Sequence, residues 1–360
     1  MYYFCTYFDQ HYLARGLALY RSLREHCPAF KLWVLCMDHE TYQCLEMLGL
    51  PGLYPIALHE FERHDELLQS AKQNRSRIEY YFTCTPSLPL YVFQNWPEVD
   101  LITYLDADLF FFASPAPLFE ELGTGSIAII GHRFPPHLRQ NERYGIYNVG
   151  WLSFRRDANG LTCLYWWRER CLEWCYDREE DGRFADQKYL DDWPSRFQNV
   201  VVLEHKGANV APWNLANYRL YPLQGNTVIV DDQPLIFFHF HGLKRIATWL
   251  YDPSWQEYQV TPLRVLRKRI YSSYIRVLLD TSGHMLPACA GHPIARIARR
   301  QVTSTKYVSR TQHMVRRLGL VATMSRNILS GRYLILFPAR SFFRPTEASK
   351  DRNDDNPLPN

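Results

Sequence analysis

Two periods of apolar residues run through the first hundred positions, one suited to strands and one to helices. Residues 1–8 and 31–37 are short apolar runs of the kind that form strands buried on both faces, and Ile56 begins a third. Between the first two, residues 11–26 carry Leu13, Leu17, Tyr20 and Leu23 on one helical stripe that Pro28 closes. A second helix fits about 40–49, and the polar stretch 60–73 is helical in pattern as well. This β-α-β-α-β order predicts an α/β protein with a mostly parallel sheet covered on both faces. Residues 76–96 are helical in part, rich in aromatic residues and interrupted by Pro86 and Pro89. Further strands are expected at 126–131, within 144–154 and at 200–203, with helices at 161–176 and 186–193. Residues 227–230 and 235–240 read as a hairpin, and 132–137 and 205–217 read as loops.

The stretch 101–112 departs from these patterns. It reads as a single buried strand, yet Asp106 and Asp108 stand in its middle. Burying an unpaired carboxylate is costly. Alternation along a strand would point both side chains the same way, and a hard divalent cation, Mn²⁺ or Mg²⁺, shared with a phosphate-bearing substrate would offset the cost. An open α/β sheet binds its ligand at the carboxyl ends of its strands, which is where these acids fall.

Composition fits a large globular chain, 47% apolar with 10 Trp, 24 Tyr and 20 Phe among 360 residues. No apolar run approaches the roughly 20 residues that span a bilayer, and the first residues lack the basic and apolar parts of a secretory signal. The nine cysteines are scattered without a Cys-x-x-Cys pair, which implies reduced, cytosolic usage rather than a disulfide framework or zinc site. The net charge of +4 hides an asymmetry. Residues 262–345 hold sixteen basic residues and one acid, Asp280, a net +15, so residues 1–261 carry −9 and 346–360 carry −2. The expected organisation is therefore a catalytic domain at 1–261, a basic helical region at 262–345 and a polar tail at 346–360. Leu263, Leu266, Ile270, Tyr274 and Val277 form one helical stripe with the basic residues largely elsewhere. Such a helix either lies on an anionic membrane or packs onto the acidic part with its basic face in water. No nucleic-acid recognition motif is present, so nucleic acid is not an expected partner.

With these pieces in place the chain resembles the nucleotide-sugar transferases of the GT-A fold, most nearly the retaining enzymes of glycosyltransferase family 8. The matching residues spread from Cys5 to Gly242. Cys5-Thr6-Tyr7-Phe8-Asp9-Gln10-His11-Tyr12 resembles the nucleobase-binding opening, one residue longer than usual. Tyr104-Leu-Asp-Ala-Asp-Leu is similar to the Tyr-Leu-Asp-x-Asp signature, Tyr147-Asn148-Val149-Gly150 to Phe-Asn-Ser/Ala-Gly, and Asp186-Gln187 to an Asp-Gln pair beside the donor sugar. His239-Phe240-His241-Gly242 is similar to His-Phe-x-Gly, whose first histidine is the third metal ligand. The resemblance implies a Rossmann-like mixed sheet and a metal-dependent hexosyltransferase. It takes a nucleotide-sugar donor, a UDP-sugar first among them, and a glycan or lipid-linked acceptor in surface polysaccharide or lipopolysaccharide synthesis. It implies Asp106, Asp108 and His239 as ligands to Mn²⁺ or Mg²⁺, with His241 in reserve. Asp186 and Gln187 fall at the reacting sugar. Thr6, Tyr7, Asp9, Tyr12, Arg77, Asn148 and Lys244 are the implied substrate contacts, Arg77 (or Arg75) standing for the basic residue ahead of the acid pair, and the amide of Asn209 and the ring of Trp213 suit a sugar by their chemistry, where they are not simply structural. The metal histidine is expected to be neutral, its second ring nitrogen donating to a backbone carbonyl. The expected location is cytoplasmic, with the basic tail on the cytoplasmic membrane face. One departure concerns Lys244, which comes one residue early and lacks the Pro-Trp that follows it in the family.

Each residue also has a plainer reading. Asp106 and Asp108 suit a helix N-cap, His239 a satisfied strand histidine, Asp186-Gln187 a helix cap and Asn148 a turn. Trp166, Trp167 and Trp174 suit the core. A metal-dependent phosphohydrolase, or a nucleotide- or glycan-binding protein without turnover, are the alternative functions.

Overall fold

The computed structural model describes residues 1–225, 227–285, Asn327, Ser330 and 332–336. The tail at 346–360 and most of the basic segment beyond 285 lie outside the described residues. Strands β1 (Tyr2–Phe8), β2 (Phe30–Cys36) and β4 (Leu101–Leu105) fall on runs that the apolar pattern marks, whereas β3 (Leu53–Ala57) begins three residues before Ile56, its expected start. They alternate with helices α1 (Leu13–His26), α2 (His39–Leu48), α3 (Leu58–Glu62), α4 (Glu66–Gln73), α5 (Arg77–Cys84) and α6 (Ser87–Asn95). Asp38 caps α2 by accepting from the Thr41 N–H at 2.8 Å, and Gly49 ends it at φ +52°, a backbone state that suits glycine. The aromatic stretch that reads as an interrupted helix is two helices. Ser76 and Glu79 box the start of α5, while Pro86 stands at the N-cap position of α6 and Pro89 in its first turn, where a missing N–H costs nothing.

Strands β5 (Leu109–Phe111), β6 (Ile127–Gly131), β7 (Tyr147–Arg155) and β8 (Val200–Leu203) follow, with α7 (Ala116–Leu122), α8 (Ala158–Glu173) and α9 (Trp193–Arg196). The main sheet has seven strands in the order β3-β2-β1-β4-β7-β6-β8, and β7 alone runs against the others. The expected mixed sheet flanked by helices is thus present. Alternate residues of its strands enter different cores. Phe4, Leu32 and Val34 join one cluster, and Cys5, Trp33 and Leu35 the other. Trp167 and Trp174 are buried in keeping with a core role. From β1 the chain runs outward through β2 to β3, and β4 returns to the other side of β1. That reversal opens a crevice at the carboxyl ends of β1 and β4, where Asp9 and Asp106 directly follow.

The remaining strands are β9 (Leu220–Pro222), β10 (Val228–Val230), β11 (Gln233–Pro234), β12 (Phe237–His239), β13 (Lys244–Ala247), β14 (Leu250–Asp252) and β15 (Leu334–Ile335). The expected hairpin is shorter than its pattern: β10 pairs with β11, but β12 leaves it and pairs antiparallel with β5. A helical segment at Leu266–Tyr271 continues into α10 (Ser272–Asp280). Leu266, Ile270 and Tyr274 of the predicted stripe are buried with Phe110, Phe238 and Phe240 in a third core, while Leu263 is exposed. The stripe therefore packs on the protein, the second of the two arrangements its pattern allows, and residues on both sides of 261 share one core. Arg264, Lys268 and Arg276 face water, and Arg21 of α1 pairs with Asp280.

Tyr274 stacks on Phe240 with ring centroids 3.8 Å apart, and among the described residues its buried hydroxyl has no hydrogen-bond partner. Truncation to Ala is expected to cost about 3–5 kcal/mol. Tyr274→Phe keeps the stack and removes an unpaired polar group, so it should match or exceed the wild type by roughly 1 kcal/mol in chemical denaturation.

Candidate metal centre and adjoining cavity

β4 ends at Leu105, and the Leu109 N–H donates to the Asp106 carbonyl at 3.2 Å, so Asp106 and Asp108 occupy a tight turn between β4 and β5. This corrects the single strand expected at 101–112. The two carboxylates share a side because the chain turns there, not because a strand alternates. The turn is held from both directions. The Asp106 N–H donates to the Gly150 carbonyl of β7 at 3.1 Å, and the Phe240 N–H donates to the Asp108 carbonyl at 3.0 Å. In the β5–β12 register His239 stands opposite Leu109, one residue beyond Asp108. The pairing carries the imidazole to the acids across 130 residues of chain.

His239 Nε2 lies 3.1 Å from Asp108 Oδ1 and 3.6 Å from Asp106 Oδ2, and one ligand atom from each of the three falls within 4.8 Å of the others. Two carboxylates and an imidazole, converging from three points of the fold, fit Mn²⁺ or Mg²⁺ by donor type. Tyr104 supports the set by donating its hydroxyl to Asp106 Oδ1 at 2.9 Å. Among the described residues His239 Nδ1 has no hydrogen-bond partner, so the expected donation to a backbone carbonyl is not made. The ring is held instead edge-on against Trp213, centroids 5.0 Å apart. His241 is exposed, its ring 6.2 Å from that of His239 and outside the converging set.

The electrostatics follow from burial and proximity. Burial raises the Asp106 pKa, with the neighbouring Asp108 charge adding to it. Burial also opposes ionisation of Asp108, but the facing His239 outweighs it and holds the carboxyl well below its usual range. For His239 burial disfavours the cation, and the two carboxylates more than compensate, raising its pKa. Asp108 and His239 thus favour their charged forms, whereas Asp106 is pushed toward its neutral one.

A cavity of about 520 Å³ opens beside the three donors. Asp186 and Gln187 enter it behind Ala185, whose φ of +47° is a strained state for a residue with a side chain. Gln187 Nε2 donates to the Tyr144 carbonyl at 3.0 Å, while Asn148 Nδ2 approaches Gln187 Oε1 at 3.4 Å and His132 Nε2 at 3.2 Å. His132 is missing from the sequence prediction because nothing in its loop spacing marks it. Burial lowers its pKa to about 3, so it is neutral and can accept from Asn148 while Nδ1 faces the Ile146 carbonyl. Tyr7 and Trp213 also line the cavity. Trp213 donates its ring N–H to the His132 carbonyl at 3.0 Å, and Asn209 donates to the Gly131 carbonyl at 3.1 Å from behind the loop.

The other predicted contacts gather at the end of β1 or stand apart. Thr6 is buried with its hydroxyl unpartnered among the described residues. Asp9 accepts from the His11 and Tyr12 N–H groups and pairs with Arg77, while Tyr81 donates to it at 3.2 Å. Tyr12 is exposed, with the Arg15 guanidinium 4.3 Å over its ring. Lys244 is exposed, reaches Glu257 at 3.4 Å and does not line the cavity. Arg15, which the sequence did not single out, donates to the Leu243 carbonyl at 2.5 Å and places a charge beside Asp108.

Burial, reinforced by Asp106, raises the Asp186 carboxyl from its ordinary 3.8 to about 7. Between those values the folded protein keeps a proton that the unfolded chain has lost. Stability therefore falls as pH rises through that window and levels off above it. Asp186→Asn removes this term. In EDTA the variant should match the wild type near pH 4 and gain roughly 2–4 kcal/mol over it by pH 8, read from melts across the range. A gain that does not grow with pH would contradict this.

The architecture so far defines an α/β protein with a cluster of oxygen and nitrogen donors able to hold a metal ion at the switch point of its sheet. No family model matches the chain. It is 32% identical over 277 residues to YfnD of Bacillus subtilis, covering 76% of this chain and 88% of that protein. It is 35% identical over 253 residues to YfnF of the same organism, covering 68% and 82%. The chain belongs to the family of these two proteins, both uncharacterized. Among solved structures it resembles the galactosyltransferase LgtC in complex with donor and acceptor sugar analogs. That match has a TM-score of 0.48 and 14% identity and covers 77% of this chain and 95% of that one. The glycosyltransferase GlyE of Streptococcus pneumoniae matches at TM-score 0.44 and 16% identity, covering 85% and 66%. Mouse xyloside xylosyltransferase 1 matches at TM-score 0.43 and 12% identity, covering 67% and 98%.

Proposed function

We propose that this protein is a metal-dependent GT-A-type glycosyltransferase that moves a sugar from a nucleoside-diphosphate donor to a hydroxyl of a glycan or lipid-linked acceptor. The observation that carries this is the convergence of Asp106, Asp108 and His239 within 4.8 Å beside a cavity that Asp186, Gln187 and Asn148 line. In this reading Asp106, Asp108 and His239 hold Mn²⁺ or Mg²⁺, which when bound supplies Lewis-acid stabilisation of the leaving diphosphate. Asp9, Thr6 and Tyr12, at the end of β1, face the nucleoside, UDP being the first candidate. Arg77 takes part through its pairing with Asp9. Asp186, Gln187 and Asn148 orient the sugar by its hydroxyls, and Tyr7 and Trp213 offer flat apolar faces to its ring. Retention is taken over from the family 8 resemblance, and in this reading it proceeds by same-face attack without a covalent intermediate. Surface polysaccharide or lipopolysaccharide synthesis on the cytoplasmic side, with exposed basic residues near Arg264 and Lys268 against an anionic membrane, belongs to the same reading.

The test is a panel of nucleotide sugars with Mn²⁺, following release of free nucleoside diphosphate with EDTA as control. Metal-dependent hydrolysis of one donor supports the reading and names the sugar. A second reading, nucleotide binding without turnover, draws on the exposure of Lys244, which leaves the expected phosphate contact unmade. Binding without release over the whole panel, acceptor glycans included, would favour it.

A further inference from the structure

The charge of the cavity points to the class of sugar it accepts. Four acidic side chains line it, those of Asp106, Asp177, Asp186 and Glu257, of which Asp186 is the most readily protonated, and no lysine or arginine among the described residues does. Of the three histidines on its wall, His132 is neutral, His239 faces the acid pair and His241 packs edge-on against Trp213 and Tyr258. Lys244, outside the lining, is directed to Glu257. A divalent ion with Asp106 and Asp108 leaves no net charge, and a nucleoside diphosphate then adds its own negative charges. Much of the remaining wall is aromatic, with Phe134, Tyr144, Phe184 and Tyr258 among its residues, beside the amides of Asn141, Asn148 and Gln187. Such rings suit the C–H face of a sugar and pay nothing toward desolvating an anion.

Resting on the glycosyltransferase reading, we infer that the transferred sugar is uncharged at its C6 position and that sugars bearing a carboxylate are excluded. A C6 carboxylate would enter beside the carboxylates of Asp177 and Glu257, with no guanidinium or ammonium on the wall to receive it. A C6 hydroxyl or methyl group finds either amide and carbonyl partners or ring faces. The exclusion works by an added penalty against the wrong substrate as much as by contacts to the right one.

The experiment compares donors that differ only at that carbon: UDP-glucose with UDP-glucuronic acid, and UDP-galactose with UDP-galacturonic acid. Binding is measured by calorimetry with Mn²⁺, beside UDP alone, and UDP release is followed in parallel. At least one neutral donor should bind as tightly as UDP or more so, and its acidic counterpart at least 100-fold more weakly. In Glu257→Gln combined with Asp177→Asn the ratio should narrow at least fivefold. Acidic donors that bind within threefold of their neutral partners would overturn the inference and leave the transferase reading standing. Failure of UDP and of every donor to bind with Mn²⁺ would overturn both.

Discussion

Asp108→Asn is expected to lower sugar transfer by a factor on the order of 10³ or more while leaving the protein folded. The amide is a weak metal donor, and its neutrality removes half of the acid pair that faces His239. Folding should survive because the turn is held by main-chain groups: the Asp108 carbonyl accepts from Phe240, and Asp106 is tied to Gly150. Two electrostatic changes oppose one another. His239 loses its nearest carboxylate at 3.1 Å, and Asp106 loses the neighbour that helps to raise its pKa. The melting temperature in EDTA should therefore move by only a few degrees, whereas the stabilisation that Mn²⁺ confers on the wild type should vanish. A variant retaining a tenth of wild-type turnover would remove Asp108 from the metal centre.

Gly150→Ala should damage the same centre without touching a ligand. Gly150 lies on β7 beside the acid turn, and a Cβ there would stand 2.6 Å from Asn148 Oδ1 and 3.0 Å from His239 Nδ1 and Cε1. Neither neighbour yields easily. Asn148 Oδ1 accepts the Gly150 N–H at 3.1 Å, and the His239 ring is fixed against Trp213. The added methyl must push the imidazole away from the carboxylates or rotate the amide out of the cavity. A drop of about 10- to 100-fold in Mn²⁺ affinity is expected, the size seen when groups that orient a ligand are lost. Overpacking adds a stability cost of about 1–3 kcal/mol. Mn²⁺ affinity followed by electron paramagnetic resonance, beside a denaturant curve, separates the two effects. Unchanged affinity would show that His239 is not held where this packing places it.

How much of this was legible in the sequence depended on how local the cause was. Strands β1, β2 and β4 and the helices between them follow from short-range apolar periods, and Asp106 and Asp108 draw notice because acids are costly within such a run. The turn that holds them was not legible, since Leu101–Leu105 and Leu109–Phe111 flank it with residues equally suited to one long strand. The pairing of β5 with β12 joins distant segments, and no local rule specifies it. Its consequence, His239 beside Asp108, entered only through resemblance. His132 and Arg15 had no signal at all: one owes its place to a loop folded over Trp213, the other to a bond with Leu243, 228 residues away. The stripe at Leu266, Ile270 and Tyr274 was plain as a helical face. Whether it meets protein or membrane is decided by Phe240, which meets Tyr274 ring to ring.

The most direct test of the metal centre is calorimetric titration of UDP into the protein with Mn²⁺ and with EDTA, repeated on Asp106→Asn, Asp108→Asn and His239→Ala. One site per chain should bind with Mn²⁺, and EDTA or any of the three substitutions should weaken it at least 100-fold. Binding of the same strength in EDTA, or in a folded variant lacking one of the three, would contradict a cation held between these residues and the nucleotide.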